Sequence, residues 1–260
     1  MQAAILTDVS KCIGCRQCVI ACKQANKLAP DVPHRWSRDD GLSARNLTSV
    51  IDRPDGVFVR KQCRHCLQPT CVSVCPVGAL QKTELGPVIY DGNKCMGCRY
   101  CMMACPYGIP RYDWDQTSPY VRKCILCYDR VRAGGKPACT EACPTGATIF
   151  GDRSELLQIG HERIEKEPGK YINKVWGEQE VGGTSILYVS NTDLSFLTQG
   201  QALGNEPVPE RTRLAMNAVP FAFLGMATCM AGLNWIIGRR MKLEREAAPA
   251  GGESKGNRDA

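Results

Sequence analysis

Sixteen of the 17 cysteines in this 260-residue chain stand in four closely spaced groups. The third group reads C-x2-C-x2-C followed by C-x3-C-P. This spacing folds three thiolates around one iron–sulfur cube, while the proline turns the fourth cysteine towards another cluster. Iron–sulfur chemistry is therefore the first hypothesis. The groups, called quartets one to four in chain order, are Cys12, Cys15, Cys18 and Cys22; Cys63, Cys66, Cys71 and Cys75; Cys95, Cys98, Cys101 and Cys105; and Cys124, Cys127, Cys139 and Cys143.

Disulfide bonds and structural zinc are the two competing reasons for a chain to contain so many cysteines. Disulfide frameworks spread their cysteines along the loops of secreted proteins, whereas repeated C-x2-C steps bring thiolates to one side of a turn. Zinc requires only pairs of C-x2-C, and the triplets of quartets one and three exceed that requirement. The spacing favours ligation of iron–sulfur clusters.

The formal net charge of +7 would ordinarily suggest a nucleic acid or an anionic membrane as a partner. Sixteen thiolates and four oxidised cubes lower that sum to about −1, because the charge of a metal site includes its ions. The basic residues mostly offset the clusters, and we predict no nucleic-acid partner. Six of them stand beside the ligands, either as counter-charges or as ordinary solvated side chains: Lys11, Arg16, Lys94, Arg99, Arg122 and Lys123.

A repeated order of elements must position the quartets. A short apolar strand, an aspartate and a Lys-Cys pair lead into quartets one and three, at residues 3–12 and 87–95. A Cys-Pro-x-Gly turn into a second strand follows quartets two and four, at residues 75–80 and 143–149, and residues 105–109 are a looser copy. Quartet one has no such exit, so quartets one and four complete each other as one module.

Quartets two and three are contiguous and are joined by a hairpin at residues 79–89. They make a second module, which is inserted into the first. The predicted fold class is α+β. The predicted boundaries are 1–35 and 113–150 for the outer module, 55–112 for the inserted module, and 151–205 for a segment that covers the cluster-bearing loops.

Two elements are predicted within the covering segment. Residues 154–164 have the apolar spacing of a helix, with Ser154 as its N-cap. Residues 182–189 form a glycine-containing turn that leads into a strand. The segment contains no cysteine, so we predict a packing role for it.

Residues 214–238 contain no charged side chain, which is enough for a helix to cross a hydrocarbon core of about 30 Å. A buried or interfacial helix is the competing interpretation, because the stretch includes Asn217, Asn234 and Pro220. Cys229, the seventeenth cysteine, is predicted to be a small apolar residue of this helix.

Flanking charge predicts the orientation of the helix. Four basic residues follow it closely and two precede it, which favours a cytoplasmic, disordered tail at 239–260 and a cluster domain on the periplasmic face of the inner membrane. The sequence begins directly with the first strand, so we expect an exported domain to travel with a partner that carries the signal. A cytoplasmic cluster domain remains the alternative. The basic residues are Arg211 and Arg213 before the helix, and Arg239, Arg240, Lys242 and Arg245 after it.

Four stretches give the chain a family resemblance that runs over most of residues 5–190. They are Cys71–Leu80, Cys95–Tyr107, Lys123–Arg130 and Gly182–Thr184. With them the chain resembles the four-cluster, ferredoxin-like iron–sulfur subunits of respiratory membrane oxidoreductases. These include the subunits of formate dehydrogenase, of polysulfide and dimethyl sulfoxide reductases, and of a quinone-linked nickel–iron uptake hydrogenase.

The resemblance implies a duplicated two-cluster bacterial ferredoxin, in which the fourth cysteine of each motif ligates the cluster of the other motif. All sixteen positions are cysteine, so it implies four [4Fe–4S] clusters. The implied ligand sets are Cys12, Cys15, Cys18 and Cys143; Cys124, Cys127, Cys139 and Cys22; Cys63, Cys66, Cys71 and Cys105; and Cys95, Cys98, Cys101 and Cys75.

The resemblance further implies a non-catalytic subunit that relays single electrons. Its implied partners are a catalytic subunit, either a nickel–iron hydrogenase or a molybdopterin oxidoreductase, and an integral membrane subunit that reacts with quinone. The lipid bilayer would hold the C-terminal helix.

Two further classes of function compete with electron transfer. A catalytic or maturation protein would need an open iron site, and no quartet lacks a ligand; a metal-stabilised binding module would contain fewer clusters, or zinc. The chain contains no P-loop, no G-x-G-x-x-G and no haem-attachment motif.

The remaining candidate residues are histidines and tyrosines. We predict that His65 packs beside a cluster, with ligation as the alternative. His34 and His161 have no ligand-like neighbours and are expected to be ordinary polar residues. Tyr100 and Tyr107 either exclude water from clusters or fill the core.

Overall fold

The computed structural model describes residues 1–29, 39–54, 56–114, 120–198 and 203–247. His34 and the tail beyond residue 247 lie outside the described residues. Residues 1–210 form one compact unit, and the remainder of the chain forms a second. Each unit is described separately below.

The first unit combines short strands and short helices. Its strands are β1 (Ala3–Asp8), β2 (Thr48–Asp52), β3 (Phe58–Gln62), β4 (Leu80–Lys82), β5 (Val88–Tyr90), β6 (Arg111–Tyr112), β7 (Val121–Arg122), β8 (Thr148–Asp152) and β9 (Ile186–Val189). Its helices are α1 (Gln17–Ala25), α2 (Thr70–Ser73), α3 (Tyr100–Ala104), α4 (Tyr128–Arg132), α5 (Ala138–Glu141) and α6 (Arg153–Lys166). The mixed content agrees with the predicted α+β class.

A three-stranded sheet in the order β8-β1-β9 lies at the centre of this unit. β1 pairs antiparallel with β8 and parallel with β9, so Ile5 lies between Phe150 and Ile186. Every residue of β1 is buried, because both faces of the sheet are covered. Helix α6 packs Leu156 on one face. The sheet therefore fixes the loop of quartet one, which follows β1, beside the exit of quartet four, which precedes β8.

Three two-stranded hairpins support the other cysteine loops. β2 pairs with β3, β4 with β5, and β6 with β7, all antiparallel. The hairpin predicted between quartets two and three is confirmed as the β4–β5 pair, with Leu80 opposite Tyr90. The predicted strands before quartets one and three and after quartet four are likewise confirmed as β1, β5 and β8.

The segment 151–205 does more than cover the cluster loops. Its strand β9, which was predicted, supplies one edge of the central sheet, and all four of its residues are buried. Its helix was also predicted, but the N-cap is Asp152 and not Ser154. The Asp152 carboxylate accepts a hydrogen bond from the Ser154 backbone N–H at 3.0 Å, because the extended backbone at Asp152 directs this side chain back to the first turn.

The second unit consists of helix α7 (Glu210–Ala247), which is 38 residues long. It is long and apolar enough to cross a membrane. The prediction of a disordered tail starting at 239 is wrong for residues 239–247, which are helical. Ion pairs one turn apart stabilise this end: Arg240 lies 3.0 Å from Glu244, and Lys242 lies 4.0 Å from Glu246.

Candidate metal-cluster sites

The first C-x2-C step of every quartet contains a residue with left-handed backbone. This residue stands two positions after the first cysteine of its quartet: Gly14 (φ 69°), His65 (φ 48°), Gly97 (φ 74°) and Leu126 (φ 57°). Residues other than glycine adopt this region infrequently, so its recurrence in all four loops marks a shared constraint. The left-handed turn curls the chain so that successive thiols face one side.

The Cys-Pro-x-Gly turns share a second geometry. Glycine adopts left-handed backbone in each: Gly78 (φ 61°), Gly108 (φ 59°) and Gly146 (φ 62°). In each turn this glycine donates its N–H to the carbonyl of the cysteine, at 3.3, 3.0 and 3.3 Å respectively. The copy at residues 105–109, which looked looser in sequence, therefore has the same fold as the other two. These turns present the fourth cysteine of quartets two, three and four.

The structure brings the cysteines together in four groups that cross quartet boundaries. Three groups line cavities, and the fourth is recognised because the cysteines whose charges act on Cys66 are Cys105, Cys63 and Cys71. We name the groups site A (Cys75, Cys95, Cys98 and Cys101), site B (Cys63, Cys66, Cys71 and Cys105), site C (Cys22, Cys124, Cys127 and Cys139) and site D (Cys12, Cys15, Cys18 and Cys143).

Neighbouring sites follow one another in a row. Cys101 of site A acts electrostatically on Cys71 of site B. Cys63 of site B acts on Cys124 of site C, and Cys139 of site C acts on Cys18 of site D. These pairwise interactions support the order A, B, C and D. Sites A and D each include an exposed cysteine, Cys98 and Cys15 respectively, so the ends of the row reach the surface.

Burial makes these thiols poor acids by themselves. Burial and neighbouring cysteines raise the pKa of Cys22 and of Cys71 to about 12, and that of Cys18 and of Cys101 to about 11. Iron ions would supply the positive charge that lets such thiols bind as thiolates. All the described cysteines are free, and clustered thiol sulfurs are the donors that iron–sulfur clusters require.

Polar groups without partners also face the cavities. Thr7 lines the cavity of site D, and its hydroxyl has no hydrogen-bond partner among the described residues. Gln62 lines the cavity of site C, and neither its amide nitrogen nor its amide oxygen has a hydrogen-bond partner among the described residues. Buried polar groups are almost always hydrogen-bonded, so these side chains fit an occupant with exposed acceptor atoms, such as the sulfides of a cluster.

Single metal ions do not fit this arrangement. In the part of the chain that the structure describes, no three Cys, His, Asp or Glu side chains lie close enough to hold one ion. Zinc draws its sulfurs to about 2.3 Å from a common centre, whereas a cube presents a separate iron to each cysteine. The sulfurs surround cavities, which suits a cubane cluster.

Backbone N–H groups donate to several of the sulfurs. Leu126 donates to the Cys124 Sγ at 3.3 Å, Ala79 to the Cys75 Sγ at 3.3 Å and Ile109 to the Cys105 Sγ at 3.5 Å. Hydrogen bonds to cysteine sulfur are one of the levers that set the reduction potential of a cluster. The left-handed and Cys-Pro-x-Gly turns thus supply donors as well as position.

His65 packs beside site B as predicted, and it is fully buried. Its Nδ1 accepts a hydrogen bond from the Val88 backbone N–H at 2.9 Å, which ties this loop to β5. His161 is exposed and lies 3.2 Å from Glu178, as expected of an ordinary polar residue. Tyr107 is buried under the Arg64 guanidinium, whereas Tyr100 is exposed.

The basic residues beside the ligands divide into two kinds. Five of the six named from sequence have exposed side chains, whereas Lys123 is buried and donates to the carbonyls of Val88 and Cys124. Sequence reasoning missed Arg60, which is only 1% exposed and lines the cavity of site D. No sequence pattern indicates this burial, because four successive residues of β3 are buried on both faces, charged and polar side chains included.

Comparisons with known proteins agree with this chemistry. Residues 54–153 match the model of a 4Fe-4S dicluster domain, and residues 9–25 match that of a 4Fe-4S binding domain. The chain is 35% identical to the hydrogenase-2 operon protein HybA of Escherichia coli O157:H7, over 92% of this chain and 84% of the relative. It is 35% identical to the iron-sulfur subunit of the nitrate-inducible formate dehydrogenase of Escherichia coli K12, over 89% and 83%.

The chain belongs to the family of iron–sulfur subunits of respiratory oxidoreductases. A further relative of this iron–sulfur subunit is the B subunit of the anaerobic dimethyl sulfoxide reductase of Escherichia coli K12, which is 41% identical over 60% of this chain and 76% of the relative. The predicted [4Fe–4S] cofactors and the predicted non-catalytic, electron-transferring role are confirmed. Helix α7 and the family together indicate association with a membrane.

Proposed function

We propose that sites A to D each hold one [4Fe–4S] cluster and that electrons pass along the row one at a time. The observation that carries this proposal is the grouping of sixteen free cysteines into four sets of four. The electrostatic contacts between successive sites support the order A, B, C, D. Each cluster would gain one electron as its neighbour loses one.

The grouping also supports two nested ferredoxin-like modules. Quartets two and three exchange their fourth cysteines, Cys75 and Cys105, between sites A and B. Quartets one and four exchange Cys22 and Cys143 between sites C and D. We propose residues 55–112 as the inserted module, and residues 1–35 and 113–150 as the outer module.

The two ends of the row are the proposed contacts with partner subunits. Exposed apolar side chains surround both: Met96 (66%) and Met103 (84%) near site A, and Ile13 (61%) near site D. One end would dock a catalytic subunit that contains a nickel–iron or molybdopterin centre, and the other an integral membrane subunit that reacts with quinone. The names of the relatives support a hydrogenase, a formate dehydrogenase or a dimethyl sulfoxide reductase as the complex.

Iron analysis and electron paramagnetic resonance of the purified complex test the four-cluster row. We expect about 16 iron atoms per chain, four per cluster, and a reduced spectrum broadened by interaction between neighbouring clusters. Fewer clusters in this chain, or zinc in place of iron, would refute the row. Nickel or molybdenum in the co-purifying large subunit identifies the donor, and a complex with neither metal would exclude both proposed donors.

We further propose that α7 crosses the inner membrane with its C-terminal end in the cytoplasm and the cluster domain on the periplasmic face. The excess of basic residues after the apolar stretch supports this orientation. A tag at the C-terminus should resist protease in spheroplasts and become sensitive in inverted vesicles. The reverse pattern would indicate a cluster domain that faces the cytoplasm and serves a different redox partner.

A further inference from the structure

Arg60 is a buried cation without a conventional partner. It lies in β3, opposite Val50 of β2, and its side chain is almost completely removed from solvent. Among the described residues, none of its three guanidinium nitrogens donates to an oxygen or a nitrogen atom, and its hydrogen-bonding contact is with the Cys139 thiol. A buried, unpaired charge is strongly unfavourable, so the cation needs a compensating negative charge.

Cysteines of two sites surround this guanidinium. Arg60 lines the cavity of site D together with Cys12 and Cys18, and it hydrogen-bonds to the Cys139 thiol of site C. A guanidinium stays protonated in proteins at ordinary pH. The cation is therefore permanent, and the negative charge that faces it comes from the two cysteine sets.

The backbone holds the cation in this place. Arg60 is paired within the β2–β3 hairpin, and its carbonyl accepts a hydrogen bond from the Tyr188 hydroxyl of β9 at 2.8 Å. The central sheet and the hairpin thus fix the backbone of Arg60, from which the guanidinium extends. Exposed basic residues beside the same loops, such as Arg16, are screened by water and act more weakly.

We propose that Arg60 is a positioning residue that raises the reduction potentials of the clusters in sites C and D together. Reduction adds one negative charge to a cubane, and a fixed cation in a low-dielectric interior stabilises that added charge. Because one guanidinium faces both sites, it shifts both potentials in the same direction and changes the difference between them less than a cation at one site would. This inference rests on the proposed ligand sets of sites C and D.

Arg60→Met tests the inference, because it retains an unbranched side chain and removes the charge. The potentials of all four clusters are measured in the intact complex by redox titration followed by electron paramagnetic resonance. We expect the clusters of sites C and D to become at least tenfold harder to reduce relative to site A, a shift of about 59 mV for one electron. Unshifted potentials in a variant with full iron content would overturn the proposal.

Two further variants separate charge from structure. Arg60→Lys retains the cation, and we expect it to restore most of the lost potential. Arg53→Met removes an exposed arginine near the turn of the same hairpin, and we expect no comparable shift. If Arg60→Met and Arg60→Lys both lose clusters, the residue is structural and the proposal is wrong.

The unaltered complex distinguishes this failure from failure of the proposed function. Four interacting clusters in the wild type, with potentials that do not respond to Arg60, would contradict only the role of Arg60. A wild type with fewer clusters would contradict the row itself.

Discussion

At the residue scale, the fourth cysteine of a motif belongs to a site that its own neighbours do not build. Cys105 follows Cys95, Cys98 and Cys101 in sequence but lies with Cys63 and Cys66. We predict that Cys105→Ala alters or removes the cluster of site B and leaves that of site A. Electron paramagnetic resonance tests the prediction: the signal of one cluster should be lost, and the reduction potential of that signal assigns it to a site.

Cys229→Ala is the matched control for that experiment. It also removes a thiol, but from helix α7 and outside all four sites. Its iron content and spectrum should equal those of the wild type. Loss of the site A signal in Cys105→Ala would contradict the exchange of ligands.

His65 has a structural role that substitution can separate from ligation. We predict that His65→Ala destabilises the protein by about 2 kcal/mol, because the buried Val88 N–H loses its acceptor. His65→Asn should lose less, since asparagine tolerates left-handed backbone and offers an acceptor oxygen. Denaturant midpoints measure the difference, and both variants should retain full iron. Iron loss in both variants would indicate that His65 is a ligand of the cluster.

At the element scale, Asp40 joins two strands by a shared ion pair. Its carboxylate lies 2.8 Å from the Lys61 ammonium of β3 and also accepts from the Arg111 guanidinium of β6. We predict that Asp40→Asn destabilises the first unit by roughly 3 kcal/mol, because it leaves two largely buried cations without a counter-charge. The denaturant midpoint at pH 7 tests this, with Asp129→Asn in α4 as an exposed control.

The ion pairs of Asp40 with Lys61 and Arg111 make the stability of the first unit depend on pH. Burial raises the pKa of Asp40, but Lys61 and Arg111 outweigh burial and lower it overall. A carboxyl with a lowered folded-state pKa stabilises fully above its unfolded pKa of about 4 and loses that contribution as the pH falls through the folded value. The difference in the free energy of unfolding between wild type and Asp40→Asn should therefore stay constant from pH 8 to about 5 and decrease only below about pH 4. A gap that closes at neutral pH would contradict this assignment.

Helix α7 is the element whose role depends on the membrane. We predict that Leu224→Arg, in the middle of the uncharged stretch, weakens membrane insertion, at a cost of about 3 kcal/mol. Leu243→Arg, in the charged end of the same helix, should have little effect. The fraction that stays with membranes after carbonate extraction measures both. Equal retention of the two variants would favour a helix that lies outside the hydrocarbon core.

Some elements were predictable from sequence for identifiable reasons. β1, β5 and β8 are apolar runs directly attached to cysteine motifs, so the motif located the strand. The role of β9 was not predictable, because its parallel pairing with β1 joins residues as distant in sequence as Ile5 and Ile186. The helical end of α7 was missed because its ion pairs compensate for a charged composition.

At the scale of the whole molecule, the proposed row lets an electron pass between sites A and D only through sites B and C. We predict that Cys124→Ala, which removes a buried ligand of site C, interrupts electron flow between the two partner subunits. The cluster of site D and those of sites A and B should each remain reducible from its own end. Turnover of the complex and freeze-quenched spectra measure this.

Cys229→Ala again serves as the control and should turn over normally. Continued turnover in Cys124→Ala would mean that electrons take another route. The sites themselves were largely predictable, since cysteine spacing and family resemblance indicated all four sets. The side chains around the sites could not be predicted, because the burial of Arg60 and Lys123 depends on strands whose pairing the cysteine spacing does not indicate.

The interleaving of ligands and strands has a consequence for synthesis on the ribosome. The inserted pair of sites has all its cysteines once residue 105 has been made, whereas sites C and D wait for Cys139 and Cys143. The central sheet is completed later still, because β1 can pair with β9 only after residues 186–189 have been synthesised. At roughly 5–20 residues per second, the first strand spends about 10 s or more without its partner. The cysteine sets of sites A and B are therefore complete before those of sites C and D, and a chain stalled between residues 105 and 139 contains only the inner pair of sites.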